Sequence, residues 1–206
     1  MKRLVVAALI FVAQNSSAQT EPSWVLGASV GGLVGIDEAI HQSLNPQFRM
    51  FGLWENGIAK HWSLEGGIGV GKLSSQNQGH YSEYSTNVIP IDLRIRFTPL
   101  INDEWQPYFY TGIGLVHFTV TSVPFNAAND AKLNSSSAYI PIGIGLRRLM
   151  TKDLAIEASI GVNPSFTDDL NPVHDNHNDA FWGFAISVTY TFGAKKCTYS
   201  SNNWRR

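Results

Sequence analysis

The chain has 206 residues, of which 44% are hydrophobic and only 15% are Asp, Glu, Lys or Arg, and its formal net charge is −1. That composition excludes a disordered chain, and the near-neutral charge offers no footing for nucleic acid. Eighteen glycines and a 12% aromatic share suit β-architecture better than a helix bundle.

The first element reads as an address. Lys2 and Arg3 precede the apolar run 4–13, and Ser16-Ser17-Ala18 places small residues ahead of Gln19. The pattern predicts a secretory signal over residues 1–18, cut after Ala18. Its apolar run is too short to cross a bilayer as a helix. The single cysteine, Cys197, excludes an internal disulfide and reads as a bystander thiol.

From Trp24 to Gly193 the apolar residues recur with a period of two, in the runs 24–35, 47–55, 62–73, 85–98, 106–119, 137–149, 154–164 and 179–192. Most have the ~9–11 residues that a tilted strand needs to span a membrane. No later segment carries a 3.6-residue stripe or a helix-length apolar stretch. The expected fold is all-β, an eight-stranded antiparallel up-and-down transmembrane β-barrel over residues 19–193. Residues 194–206 follow as a short periplasmic tail. Links after the odd-numbered runs (36–46, 74–84, 120–136, 165–178) are long and polar. Those after the even-numbered runs carry turn residues such as Asn56-Gly57, Asn102-Asp103 and Thr151-Lys152-Asp153. Long outer loops and short periplasmic turns are the habit of outer-membrane barrels, and an even strand count leaves both ends in the periplasm.

Face assignment sharpens this. The last run sets Trp182, Phe184, Ile186, Val188, Tyr190 and Phe192 against Gly183, Ala185, Ser187, Thr189 and Thr191. The fourth sets Ile89, Ile91, Leu93, Ile95 and Phe97 against Pro90, Asp92, Arg94 and Arg96. One face is bulky and apolar and the other small or charged, as in a barrel immersed in lipid. A charge facing lipid at mid-membrane costs about 2–4 kcal/mol. Arg49, Glu65, Asp92, Arg94, Arg96, Arg147 and Glu157 are therefore expected inside as a lumen charge network. Arg49 itself helps choose the phase of the second run. With a three-residue turn at 151–153, Arg147 falls opposite Glu157, and such pairs are expected to plug the lumen. Twelve glycines share that inner face, leaving room for long side chains. Lys72 and Arg148 fall outward but sit at strand ends, where they can snorkel. Trp24, Trp54, Trp62 and Trp105 are expected at one level as an aromatic girdle at the periplasmic rim. Pro90 and Pro141 lie inside strands and lead to the expectation of β-bulges there.

These residues carry a resemblance. Ile89-Pro90-Ile91 and Ile140-Pro141-Ile142, Thr167-Asp168-Asp169-Leu170-Asn171, and the ending Val188-Thr189-Tyr190-Thr191-Phe192-Gly193 resemble recurring elements of the small outer-membrane β-barrel proteins, the OmpA-like and porin-like barrel group. The resemblance covers about residues 20–193. It implies a bacterial outer-membrane location, contact with outer-membrane lipid and lipopolysaccharide, and recognition of the last strand by the barrel-insertion machinery. It departs from the commonest form in that fourteen residues follow Phe192. Its motifs specify the architecture and not the function; the expected role is structural or surface-binding, with no cofactor. A narrow channel is the alternative. A soluble lipocalin-type barrel is the third reading, since Gly52-Leu53-Trp54 resembles a lipocalin signature.

Two further clusters bear on chemistry. The stretch 168–179 collects carboxylates, His174 and His177, but its spacing fits neither a calcium loop nor a zinc motif, and it reads as a solvated surface loop with no metal. His117, with Thr119 and Ser122 nearby, is comparable with the rim serine and histidine of lipid-modifying barrels. Sequence fixes no acid–base geometry for it, so no catalysis is expected.

Overall fold

The structure, a computed structural model, describes residues 23–36, 43–55, 59–75, 84–101, 104–123, 132–151, 153–170 and 177–192. The expected signal and the tail lie outside them, as do residues 171–176 of the stretch 168–179. Period-two alternation produces the strands β1 (Ser23–Ile36), β2 (Asn45–Glu55), β3 (Trp62–Ser74), β4 (Ser85–Phe97), β5 (Trp105–Ser122), β6 (Asn134–Tyr139), β7 (Ile142–Leu149), β8 (Leu154–Pro164) and β9 (Ala180–Phe192). All pairings are antiparallel, β1 pairs with β9, and β4 pairs with β5, so the sheet closes on itself. Both β6 and β7 lie on β5 and together make one wall strand interrupted at Ile140-Pro141. The result is a closed eight-stranded barrel.

The expected bulges are absent. Thr111 pairs with Ile142 below the interruption and Gly114 with Tyr139 above it, the same register on both sides of Pro141. Pro90 stays opposite Val116, and the register shift between β4 and β5 falls instead between Ser85 and Thr86. The physical reason lies in the side-chain period: one inserted residue would turn every later side chain to the other face. At Pro90 that would send Asp92, Arg94 and Arg96 into lipid. A lost hydrogen bond costs less than that.

The wall faces are sharply divided. Ile113 and Val30 are 69% and 63% exposed on the outside, whereas Glu65 and Glu157 are 0% and 1% exposed inside. This arrangement overturns the lipocalin-type reading, which needs the apolar face within. Inward Gly143 and Gly145 have a packing role, since a Cβ on either would run into the rings of Tyr110 and Tyr108. These tyrosines pack against the glycines of the neighbouring strand, which leave room for their rings inside the barrel.

Candidate functional site

Five strands deliver the lumen site, each at an inward position of its alternation. Arg49 of β2 bonds Glu65 of β3 at 2.7 Å and Asp92 of β4 at 2.5 Å. Arg94 holds Asp92 at 2.9 Å and approaches Glu65 at 3.8 Å. Arg96 binds Glu65 and, at 2.9 Å, Glu157 of β8. Arg147 of β7 pairs in register with Glu157, reaches it at 3.6 Å, and holds Glu55 of β2 at 2.6 Å. All seven charged residues singled out from the sequence thus meet in one network.

Sequence reasoning missed several members. Glu55 lies in phase with Arg49 but ends its run next to Trp54, which drew attention to the outer face. Ser23 donates to Glu55 at 3.0 Å, Tyr108 to Glu157 at 3.2 Å and Tyr139 to Asp92 at 2.7 Å. The guanidinium of Arg96 lies 4.4 Å from the Tyr108 ring centre, and that of Arg94 lies 4.7 Å from that of Tyr110. The available signal was the alternation Tyr108-Phe109-Tyr110, whose tyrosines are in phase with the inward Gly112 and Gly114. Four arginines face four carboxylates, so the formal charge of the network closes at zero. Such balance matters because an unpartnered buried charge is far costlier than a pair.

Above the network the lumen changes character. Leu33, Leu73, Tyr84, Val88, Val116, Phe118, Tyr139, Leu170 and Phe181 form a buried apolar cluster. Leu170 comes from the connection after β8, so the base of that connection is not simply a solvated loop. Its carbonyl accepts from Thr86 at 2.8 Å and its amide donates to the buried Asp179 carboxylate at 2.8 Å. The interlocking backbone bonds Ser165 to Asp179 and Asp179 to Thr167 hold the segment down. Between this cap and the ions, a cavity of about 50 Å³ borders the small side chains of Ser29, Ser159, Ala185 and Ser187. It has room for a few waters at most.

The tryptophans occupy the turn end of the wall. Trp24 pairs with Trp54 and Phe192, Trp62 lies 4.8 Å from Phe97, and Arg148 stacks 4.8 Å over Trp105. His117 and Thr119 fall on the outer face, where His117 Nδ1 lies 3.0 Å from Ser136 Oγ. Among the described residues no carboxylate bonds that imidazole. Gly27-Ala28-Ser29-Val30-Gly31 has the spacing of a nucleophile elbow, yet Ser29 is buried in mid-strand and bonds the Arg49 carbonyl at 3.3 Å. An elbow needs an exposed strand-to-helix turn.

The family model described as the outer membrane protein beta-barrel domain matches residues 4–193. Among solved structures, Ail, the attachment invasion locus protein of Yersinia pestis, crystallised with the heparin analogue sucrose octasulfate, has a TM-score of 0.54 at 14% identity, covering 84% of this chain and 99% of that one. Neisserial surface protein A gives a TM-score of 0.54 at 11% identity, covering 82% of this chain and 97% of that chain. A major outer membrane protein from Thermus thermophilus gives 0.52 at 12%, covering 83% and 99%. No curated protein matches the chain. At such identities the likeness is one of fold.

Proposed function

The chain belongs to the outer membrane protein β-barrel family and resides in the bacterial outer membrane, and from that premise we propose that it is a closed barrel with a structural or surface-binding role, its lumen plugged rather than conducting. One observation carries the reading: ion pairs and hydrogen bonds run unbroken from Ser23 and Glu55, through Arg147, Glu157, Arg96, Glu65 and Arg49, to Asp92 and Tyr139. The apolar cluster with Leu170 then caps that chain from the other end. A hydrated solute would have to break both. Surface binding is assigned to the long connections, because the wall itself is committed to lipid on one side and to the plug on the other. Residues 1–18 serve export, the insertion machinery reads β9, lipopolysaccharide surrounds the outer half, and the four tryptophans sit in the periplasmic headgroup layer. No catalytic role is assigned to His117.

A narrow channel is the second reading, favoured by the small hydroxyl-lined cavity beside β8 and β9. Planar-bilayer conductance of the purified barrel separates the two. The plugged barrel predicts no steady current for the unmodified chain and brief openings for Glu157→Ala, which frees Arg96 and Arg147. A large steady current in the unmodified chain contradicts it.

A further inference from the structure

The inward side chains are unevenly sized around the barrel. β2, β4 and β5 send in Arg49, Asp92, Arg94 and Tyr110, whereas β8, β9 and β1 send in Ser159, Gly161, Ala185, Ser187 and Ser29. The mid-barrel cavity of about 50 Å³ is the gap left between these two halves. The small half makes the space, and the large half sets its chemistry.

Formal charge closes at zero across the network, but hydrogen-bonding capacity does not. A guanidinium carries five N–H donors and no acceptor, against about four lone-pair sites on a carboxylate. Tyr108 and Tyr139 occupy some of those sites too, by donating to Glu157 and Asp92. The arginines that border the cavity hold the surplus. Arg49 reaches both of its carboxylates through Nη2 alone. Arg94 commits Nη2 to Asp92, and its Nη1 lies 3.8 Å from Glu65, beyond hydrogen-bond length. The Arg94 side chain is 14% exposed, more than that of Arg49, Arg96 or Arg147. At mid-barrel that exposure is to the cavity. Ser159, Ser187 and the Tyr110 hydroxyl also border it and bond no partner among the described residues.

Few acceptors answer these donors. Asp92 is the one carboxylate bordering the cavity among the described residues, and Arg49, Arg94 and Tyr139 already occupy its two oxygens. Water suits such a space poorly, because each molecule brings two protons that need acceptors of their own. An anion accepts from every side and donates nothing. We propose that the cavity holds one monovalent anion of halide size, between Arg49 and Arg94 on one side and Ser159 and Ser187 on the other. It completes the donor side of the plug, as a fixed part of the lumen. The proposal rests on the reading of the lumen as a filled plug. Conductance tests that reading and bromide diffraction tests the anion, so either can fail alone.

The full chain, refolded and crystallised in sodium bromide, provides the test through diffraction at the bromine absorption edge. One anomalous peak is expected in the cavity, within hydrogen-bond reach of Arg94 and Ser187. Ala185→Leu fills the cavity without touching an arginine and is expected to remove that peak. In detergent solution the unmodified chain is expected to unfold in urea about tenfold more slowly in sodium chloride than in sodium gluconate at equal ionic strength. Gluconate is too large for the cavity, and Ala185→Leu is expected to abolish the difference. Heat-modifiable gel mobility checks that the variant is a folded barrel. For the unmodified chain, bromide peaks confined to the barrel surface, or none at all, overturn the proposal, as do equal unfolding rates in the two salts. A chloride effect that survives in folded Ala185→Leu overturns it as well.

Discussion

The membrane-spanning part of the barrel and its mouth are built on the same strands with opposite polarity. In β4, Ile91 faces out and Asp92 faces in, but four residues earlier Asn87 faces out and Val88 faces in. In β5, Ile113 is outside and Gly112 inside, whereas near the top His117 is outside and Phe118 is buried. From Thr86 to Arg96 and from Gly112 to Phe118 the alternation keeps its phase; only the assignment of polar and apolar to its two faces reverses. Tyr139 marks the crossing, with its hydroxyl on Asp92 and its ring 5.7 Å from that of Phe181. The difference teaches what sets each face. Where lipid surrounds the wall, the outside must be apolar and the inside can hold ions. Where water surrounds it, the interior becomes a core like that of a soluble protein.

Several substitutions would break or sharpen that contrast. The largest effect is expected at Glu65, which faces three arginines in the spanning part. Glu65→Ala leaves buried cations short of a partner and is expected to cost about 3–5 kcal/mol, read as a lower urea midpoint for unfolding from lipid vesicles. In the mouth the equivalent loss is a packing loss. Leu170→Ala is expected to cost about 2–3 kcal/mol, seen as faster amide exchange at 165–170 while the spanning strands stay protected. A volume change at the tyrosine–glycine contacts comes next. Gly143→Val pushes Tyr110 off the wall and is expected to cost about 1–3 kcal/mol, measurable in the same unfolding assay. The smallest effect belongs to Glu55→Gln. Its side chain is 35% exposed at the rim, so loss of its pair with Arg147 is expected to cost less than about 1 kcal/mol. An equal cost at Glu55 and Glu65 would mean that burial does not grade the network.

Most of the spanning part was legible in the sequence because lipid imposes one rule on every strand. The bulky face of β9, the inward charges of β4 and the opposition of Arg147 to Glu157 all follow from period two and a turn length. The mouth was harder to read. Val88, Val116 and Phe118 sit on the face that carries charges lower down, so a rule written for lipid assigns them no core. Leu170 was read as part of a polar connection, and only its bonds to Thr86 and Asp179 turn it inward. Glu55 and the lumen tyrosines were hidden by outward aromatics next to them. The prolines misled for a different reason. A local rule about ladder hydrogen bonds predicted bulges, but preserving the face of three charged residues outweighed it.

The central claim is an apolar exterior wrapped around an ionic interior, with polarity exchanged at the mouth. Spin labels on single cysteines at positions 91, 113 and 87, in a Cys197→Ser background reconstituted in lipid, test it by collision with oxygen and with a water-soluble nickel chelate. Labels at 91 and 113 are predicted to meet oxygen and exclude nickel, and the label at 87 to do the opposite. Ready nickel access at 91 and 113 would contradict the account.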